Sequence, residues 1–275
     1  MAKRSILITG CSSGIGLASA RLMKARGWRV LATARRAEDL AMLERDVGVE
    51  ALSLELADQV SIAACAAEAL RRTDGKLDAL FNNAAYGQVG AVEDLTSDVL
   101  RRQLEVNFIG THELTRRIIP AMRANGGGRI VQCSSVLGFV SVPYRGAYCA
   151  AKFALEALSD AMHHELAGTG IKIAIIEPGP IRTRFVERAL ENFSKTVDIE
   201  GSAHRDAYLA RLAMMQRGGK ETFKLEPESC AWKLVHAVES AHPRRRYMVT
   251  IPTYLAAAAR RLLPTSLADY LAQRI

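Results

Sequence analysis

Short apolar or β-branched runs alternate along the chain with longer segments of helical period, the pattern of a parallel sheet covered by helices on both faces. Runs at residues 5–9, 30–33, 52–54, 77–82, 128–133 and 171–177 predict six strands. Segments 15–26, 37–45, 60–72, 100–122 and 147–167 between them predict helices. Gly27, Gly75, Gly127 and Gly170 fall near helix-to-strand junctions, where a left-handed residue ends a helix. Regularity fails after Glu177. Residues 180–225 mix charges, Gly218-Gly219 and a weak amphipathic pattern, as expected of a covering insertion. A helix then runs from Pro227 to about Ser240, a seventh strand covers 247–251, and 252–275 form a short amphipathic tail. The expectation is one α/β domain over residues 1–275: a doubly wound parallel sheet of about seven strands, with a cap at 180–225 and an extension at 252–275.

Composition narrows the class. With 275 residues, 49% apolar, 24% charged and 6% aromatic, the chain is neither disordered nor collagenous, coiled-coil or disulfide-built. Its longest apolar runs, such as 254–259, fall far short of the roughly 18 residues that span a bilayer. Residues 5–10 are too short for a signal h-region and lead straight into a glycine loop, so a cytoplasmic location is expected. Cys11, Cys65, Cys133, Cys149 and Cys230 make an odd count without CxxC or metal-ligand spacing, and read as reduced core thiols with no metal site. The net charge of +8 raises nucleic-acid binding, but no aromatic-interleaved basic stretch supports that partner. Residues 241–275 hold six arginines against the single acid Asp269. With Leu255, Leu262, Leu263, Leu267 and Leu271 among them, this tail suits a solvated surface, a partner subunit or peripheral contact with anionic lipid.

Three constellations carry chemistry. Thr9-Gly10-Cys11-Ser12-Ser13-Gly14-Ile15-Gly16 lies between the first strand and helix, where glycines let backbone N–H groups approach a pyrophosphate at a helix N-terminus. Its spacing is TGxxxGxG rather than GxGxxG. At the end of the second strand, where an acid holds the ribose in NAD-binding units, the chain reads Ala34-Arg35-Arg36. A guanidinium grips a 2′-phosphate that a carboxylate repels, so NADP(H) is the expected cofactor. Tyr148 and Lys152, four apart on one helix, share a face at the carboxyl edge of the sheet. The ammonium is expected to lower the phenol's pKa toward working pH, so that tyrosine exchanges a proton with a carbonyl/alcohol pair. Ser134-Ser135 ends the fifth strand, where a hydroxyl can hold the substrate oxygen.

With Asn82-Asn83-Ala84-Ala85, Asn107 and Pro178-Gly179-Pro180-Ile181-Arg182-Thr183, these motifs stand in the order and spacing of the short-chain dehydrogenase/reductase family, which the chain resembles over roughly residues 3–185. Residues 11–16, 148–156 and the long C-terminal part resemble the branch of 17β-hydroxysteroid and retinol dehydrogenases. The stretch from Arg246 to Pro264 looks most like bacterial NADP-dependent aldehyde reductases of that branch. The resemblance implies a Rossmann-type fold with Tyr148 as general acid/base. It implies that Lys152 acts on the phenol's pKa and binds the nicotinamide ribose, that Ser135 polarises the carbonyl, and that Asn107 anchors a relay water. For the cofactor it implies Gly10, Ser12, Ser13, Gly14, Ile15 and Gly16, then Arg35, Glu55, Leu56, Asn82 and Ala84, and finally Pro178, Gly179, Ile181 and Thr183 beside Tyr148 and Lys152.

Two positions depart from the family's pattern: Ala85 stands where glycine is usual, and Glu55 where an aspartate holds the adenine amine. A homodimer or homotetramer is the assembly the family implies. Phe139, Val140, Val142, Pro143 and Tyr144, with Phe185, Val186, Phe193, Met214 and Met215, are candidates for an apolar wall suited to a lipophilic aldehyde, ketone, sterol or retinoid. The rival readings are a 3-oxoacyl-carrier-protein reductase, which shares these motifs but ends sooner after its last strand, and a non-catalytic NADP sensor, which would not need both Tyr148 and Lys152.

Overall fold

The computed structural model describes residues 4–216 and 222–272. Its strands are β1 (Ser5–Ile8), β2 (Arg29–Ala34), β3 (Glu50–Ser53), β4 (Ala79–Asn82), β5 (Gly128–Cys133), β6 (Ile171–Glu177) and β7 (Arg246–Met248). They pair in parallel in the order β3-β2-β1-β4-β5-β6-β7. Helices α1 (Gly14–Ala25), α2 (Ala37–Met42), α3 (Gln59–Arg72), α4 (Ser97–Leu104), α5 (Gly110–Ala124) and α6 (Gly146–Glu165) fill the crossovers. Then follow α7 (Phe185–Thr196), α8 (Arg205–Gln216), α9 (Glu228–Glu239), α10 (Ile251–Leu262) and α11 (Thr265–Ala272).

The central strands carry apolar runs at 6–8, 79–81 and 130–131 because both of their faces are buried. Ile6 and Ile8 of β1 enter one core layer with Met23 of α1 and Leu234 of α9. Leu7 between them enters the opposite layer with Ile62 of α3, Leu114 of α5 and Met162 of α6. That alternation is the pleat expressed in packing. The strand order reverses between β1 and β4, and the crevice outside the carboxyl ends at that point is where ligands bind in such sheets. Gly27, Gly75, Gly127 and Gly170 all take positive φ, as their junctions require.

Four differences from the pattern have physical causes. The expected helix over 100–122 is two helices joined by a widened π-turn at Glu105–Ile109. There Gly110 presses so closely on Leu56 that a Cβ would lie 2.0 Å from the Leu56 carbonyl oxygen. The seventh strand ends at Met248 because Ile251 already opens α10, with Pro252 in its first turn. Residues 180–225 are more regular than expected, forming α7 and α8. These helices have a small core of their own, with Phe193, Val197 and Tyr208 packed on Ala91, so Phe193 packs the cap rather than standing free as a wall. Gly218 and Gly219 lie outside the described residues, as do the side chains of Met214 and Met215.

Among the described residues no helix is long and apolar enough to cross a membrane. Helix α10 turns Ile251, Tyr254, Leu255 and Leu262 outward, and the tail's stripe faces solvent in this chain.

Tyr208 anchors the cap. Its hydroxyl donates to the Asp94 carboxylate, which Ser202 Oγ also reaches at 2.6 Å, and it accepts from the Ala91 N–H at 2.7 Å. Replacing Tyr208 with Phe leaves both partners short of a bond in a buried setting and should cost about 1–3 kcal/mol. Urea unfolding together with exchange of the Ala91 amide measures this. Wild-type stability and protection would contradict the anchor.

Candidate active site

The first crossover builds a cradle. Gly10 and Gly14 hold φ of +72° and +56°. A Cβ on Gly16 would lie 2.2 Å from the Gly10 carbonyl oxygen, and one on Gly10 would lie 2.8 Å from Ala84 Cα. The loop therefore requires glycine for close approach and for conformation alike. Helix α1 starts there with no acid in its first turn, and the Ser13 hydroxyl makes no capping bond. Ser12, Ser13 and Ile15 are half-buried. Across the crevice Thr183 faces the loop, with Cγ2 2.9 Å from where a Cβ on Gly14 would stand. A cavity of about 440 Å³ opens between Ser13, Gly14 and Leu17 on one side and Arg182, Thr183 and Arg184 on the other. The N–H groups of this helix N-terminus, beside such room and with no acid in the helix's own first turn, fit the pyrophosphate of a dinucleotide.

At the carboxyl ends of β5 and β6, Ser135, Tyr148 and Lys152 come together. Tyr148 and Lys152 are buried on α6, with the Lys152 ammonium 5.8 Å from the centre of the Tyr148 ring. The Ser135 hydroxyl lies beside the phenol. It accepts from the Leu137 N–H at 3.1 Å, which fixes it at the strand end. Burial pushes the Tyr148 phenol well above the ordinary tyrosine range and the Cys133 thiol adds to this, while Ser135 and the charge of Arg145 oppose it. This differs from the expectation that Lys152 lowers it. Lys152 instead donates to the Cys133 carbonyl at 2.7 Å, and burial lowers its own pKa. Phe185 of α7 meets the Tyr148 ring edge-on at 5.4 Å between centroids.

Asn107 sits in the π-turn, 1% exposed. Its side chain exchanges two hydrogen bonds with the Tyr86 backbone, donating at 2.8 Å and accepting at 3.1 Å. With these two bonds the side chain holds the segment after β4.

The remaining predicted residues line the same edge. Arg36 is engaged by Asp39 and Glu38, whereas Arg35 is 64% exposed and meets Glu55 at 3.5 Å. Glu55 also accepts from the Ala57 N–H at 3.0 Å. The Leu56 side chain packs into the core with Leu52 and Leu54. Asn82 donates to Thr115 Oγ1 at 2.8 Å, and its Oδ1 is buried with no partner among the described residues. The Pro178 carbonyl accepts from the Val136 N–H at 2.8 Å, and a Cβ on Gly179 would meet Thr250 Oγ1 at 2.1 Å. Ile181 bridges to Leu225. All five cysteines are free and buried, and burial pushes the Cys11 thiol up to about 12.

Thr9 and Asn83 lie within the sequence motifs but not among the expected site residues. The Thr9 hydroxyl accepts from the N–H groups of Asn83 and Ala84, each at 2.9 Å. Asn83 Nδ2 donates back to the carbonyls of Thr9 and Gly10, at 2.9 and 3.2 Å. This stitch locks the glycine loop onto the end of β4. The available signal was polar residues directly after two strands that end beside each other.

Comparison with known proteins places this geometry. Residues 4–193 match the family described as short chain dehydrogenase. The protein described as uncharacterized oxidoreductase YbbO from Escherichia coli (strain K12) is 41% identical over 272 residues, covering 98% of this chain and 94% of its own length. Human 17-beta-hydroxysteroid dehydrogenase type 1 is 33% identical over 264 residues, covering 91% of this chain and 78% of that protein. Among solved structures, a single-residue variant of actinorhodin polyketide ketoreductase with NADPH superposes with a TM-score of 0.74 at 28% identity, covering 90% of this chain and 95% of that one.

Replacing Asn83 with Ala removes two buried donors and should cost about 2 kcal/mol, at roughly 1 kcal/mol per bond. Thermal unfolding and amide exchange at Gly10 report the loss. An unchanged melting temperature with full Gly10 protection would contradict the stitch.

Proposed function

The chain belongs to the short-chain dehydrogenase family, an oxidoreductase acting on the CH–OH/carbonyl couple, and from that premise we propose that it reduces a lipophilic aldehyde or ketone with NADPH. The observation that carries the reading is Tyr148: a buried phenol beside Ser135, held protonated by its burial. A phenol that stays protonated at neutral pH is equipped to donate to a carbonyl oxygen, which is the proton step of reduction. Bound nicotinamide dinucleotide supplies the hydride.

Each side chain then has a task. Tyr148 gives its proton to the carbonyl oxygen as charge develops there, and Ser135 donates a hydrogen bond to the same atom. Lys152, tied to Cys133 O, holds a cation on the Tyr148 face of α6 and presents its remaining donors toward the ribose hydroxyls. Asn107 keeps Tyr86 and its neighbours in place, helped by Gln103, which also donates to the Tyr86 carbonyl at 3.1 Å. Arg35, exposed at the end of β2, takes the 2′-phosphate in preference to its 3.5 Å contact with Glu55.

A lipophilic substrate is supported by the Phe185 ring against Tyr148 and by half-buried Phe139, Val140 and Val142 on the facing loop. The ketoreductase with NADPH among the similar structures is in keeping with the cofactor reading.

Replacing Tyr148 with Phe should lower kcat for aldehyde reduction by about 10²-fold or more while NADPH still binds. Turnover within a few-fold of wild type would contradict the mechanism. Replacing Arg35 with Asp should lower kcat/KM for NADPH by roughly 10- to 100-fold, the worth of a charge-assisted pair, and leave NADH the better reductant. An unaltered cofactor ratio would remove Arg35 from the site.

A further inference from the structure

Behind Ser135 and Lys152 lies a buried ionic cluster that the reaction just described does not use. Glu177, the last residue of β6, is 1% exposed. Glu156 is 8% exposed and follows Lys152 by four residues on α6, hence on the same helix face. One guanidinium reaches both. Arg246 of β7 donates from Nε to Glu177 Oε1 at 3.1 Å, and from Nη2 to Glu156 Oε2 at 3.0 Å. The same Nη2 meets both oxygens of Asp160, at 3.0 and 2.9 Å, and Arg245 binds Asp160 Oδ1 at 2.6 Å.

The two buried carboxylates sit on the two segments that frame the site. Glu177 is joined directly to Pro178, whose carbonyl ties the Ser135–Val136 turn at 2.8 Å. The Glu156 carboxylate and the hydroxyl of Ser134, the neighbour of Ser135, both face Gly138, and the charge of Glu156 reaches Lys152. Gly138 closes the gap, since a Cβ there would lie 2.5 Å from Ser134 Oγ and 3.2 Å from Glu156 Oε1. The spacing between the Pro178 loop and the helix of Tyr148 and Lys152 is therefore spanned by a single side chain from the C-terminal edge strand.

We propose that Arg246 is a positioning residue for hydride transfer: bridging Glu177 to Glu156 and Asp160, it fixes the Pro178–Thr183 loop against the helix that carries Tyr148 and Lys152. The inference rests on the reductase reading above and adds to it a residue outside the substrate and cofactor contacts. The arrangement is costly to maintain. Two buried carboxylates share one guanidinium, and Glu177 Oε2 is buried with no partner among the described residues. Burial first, and then the charge of Glu156, push the Glu177 carboxyl up to about 7, while Arg246 and Arg261 of α10 oppose this. Asp160 and Arg245 complete the charged groups around Arg246. Raising pH through neutrality ionises Glu177 and draws Arg246 more firmly onto β6.

The test separates position from charge compensation. Replacing Arg246 with Met strands Glu177 and Glu156 and is expected to unfold or aggregate. Combining R246M with E177Q removes one stranded charge, and R246K keeps a cation that cannot span the bridge. In whichever of these folds, by circular dichroism and melting, a positioning role predicts kcat lowered by about 10²-fold for the double variant, with weaker NADPH binding by fluorescence titration. R246K is expected to lose about tenfold, being a point charge without the planar fork. E177Q alone should remove the component of the kcat–pH profile near pH 7.

Wild-type kcat and NADPH affinity in folded R246K or the folded double variant would overturn the proposal and leave Arg246 a structural ion-pair partner. If wild-type protein reduces no carbonyl, the reductase reading fails instead. NADPH affinity then decides alone: unchanged binding in the variants overturns the positioning role, and weakened binding sustains it.

Discussion

The first crossover and the end of β4 pass each other closer than a side chain permits. Gly16 stands against the Gly10 carbonyl, Gly10 against the backbone of Ala84, and the Thr9 hydroxyl and Asn83 amide bond the two segments directly. The crevice follows from this contact. It sets the N-terminus of α1 at the point where the strand order reverses, with its amides bare, and it aligns Asn82 and Ala84 on the same edge. The opposite wall is placed by an equally close approach, Gly179 on Thr250 and Thr253 at the head of α10. One wall of the proposed cofactor cleft is thus defined by backbone against backbone, and the other by a glycine against two threonine hydroxyls.

Burial then determines the chemistry. Lys152 and Tyr148 sit in the protein interior, where an ionised group is maintained only by fixed partners. The Cys133 carbonyl supplies one for Lys152, and burial keeps Tyr148 a neutral phenol beside Ser135. A phenol kept protonated beside a buried lysine is the proton donor on which the proposed reduction rests. The same low-polarity setting explains why Glu156 and Glu177, just behind, converge on Arg246 rather than facing water.

The sheet was readable in the chain because its strand interiors, such as 6–8, 79–81, 130–131 and 173–176, are buried apolar runs. Tyr148, Lys152 and Ser135 meet as their spacing and strand-end positions led one to expect. What was hidden depends on contacts distant in sequence. The π-turn at Asn107 arises from ties to Tyr86 and the press of Gly110 on Leu56, neither of which leaves a periodicity. Helices α7 and α8 bury Phe193 and Tyr208 against Ala91, a contact distant in sequence, and α8 carries only a weak pattern of its own. The i, i+4 spacing placed Lys152 near Tyr148, but the direction of the phenol's shift is set by desolvation, a property of the folded surroundings. Thr9 and Asn83 looked like motif filler until the stitch between two strand ends gave them work.

The central claim is NADPH-dependent carbonyl reduction at Tyr148. Its most direct test is to follow oxidation of NADPH and NADH side by side by the purified protein, offered a medium-chain aldehyde, a sterol ketone and retinal. The account predicts rapid carbonyl-dependent loss of NADPH absorbance with at least one of the three and far slower loss of NADH. Equal or faster use of NADH, or no carbonyl-dependent oxidation of either cofactor, would contradict it.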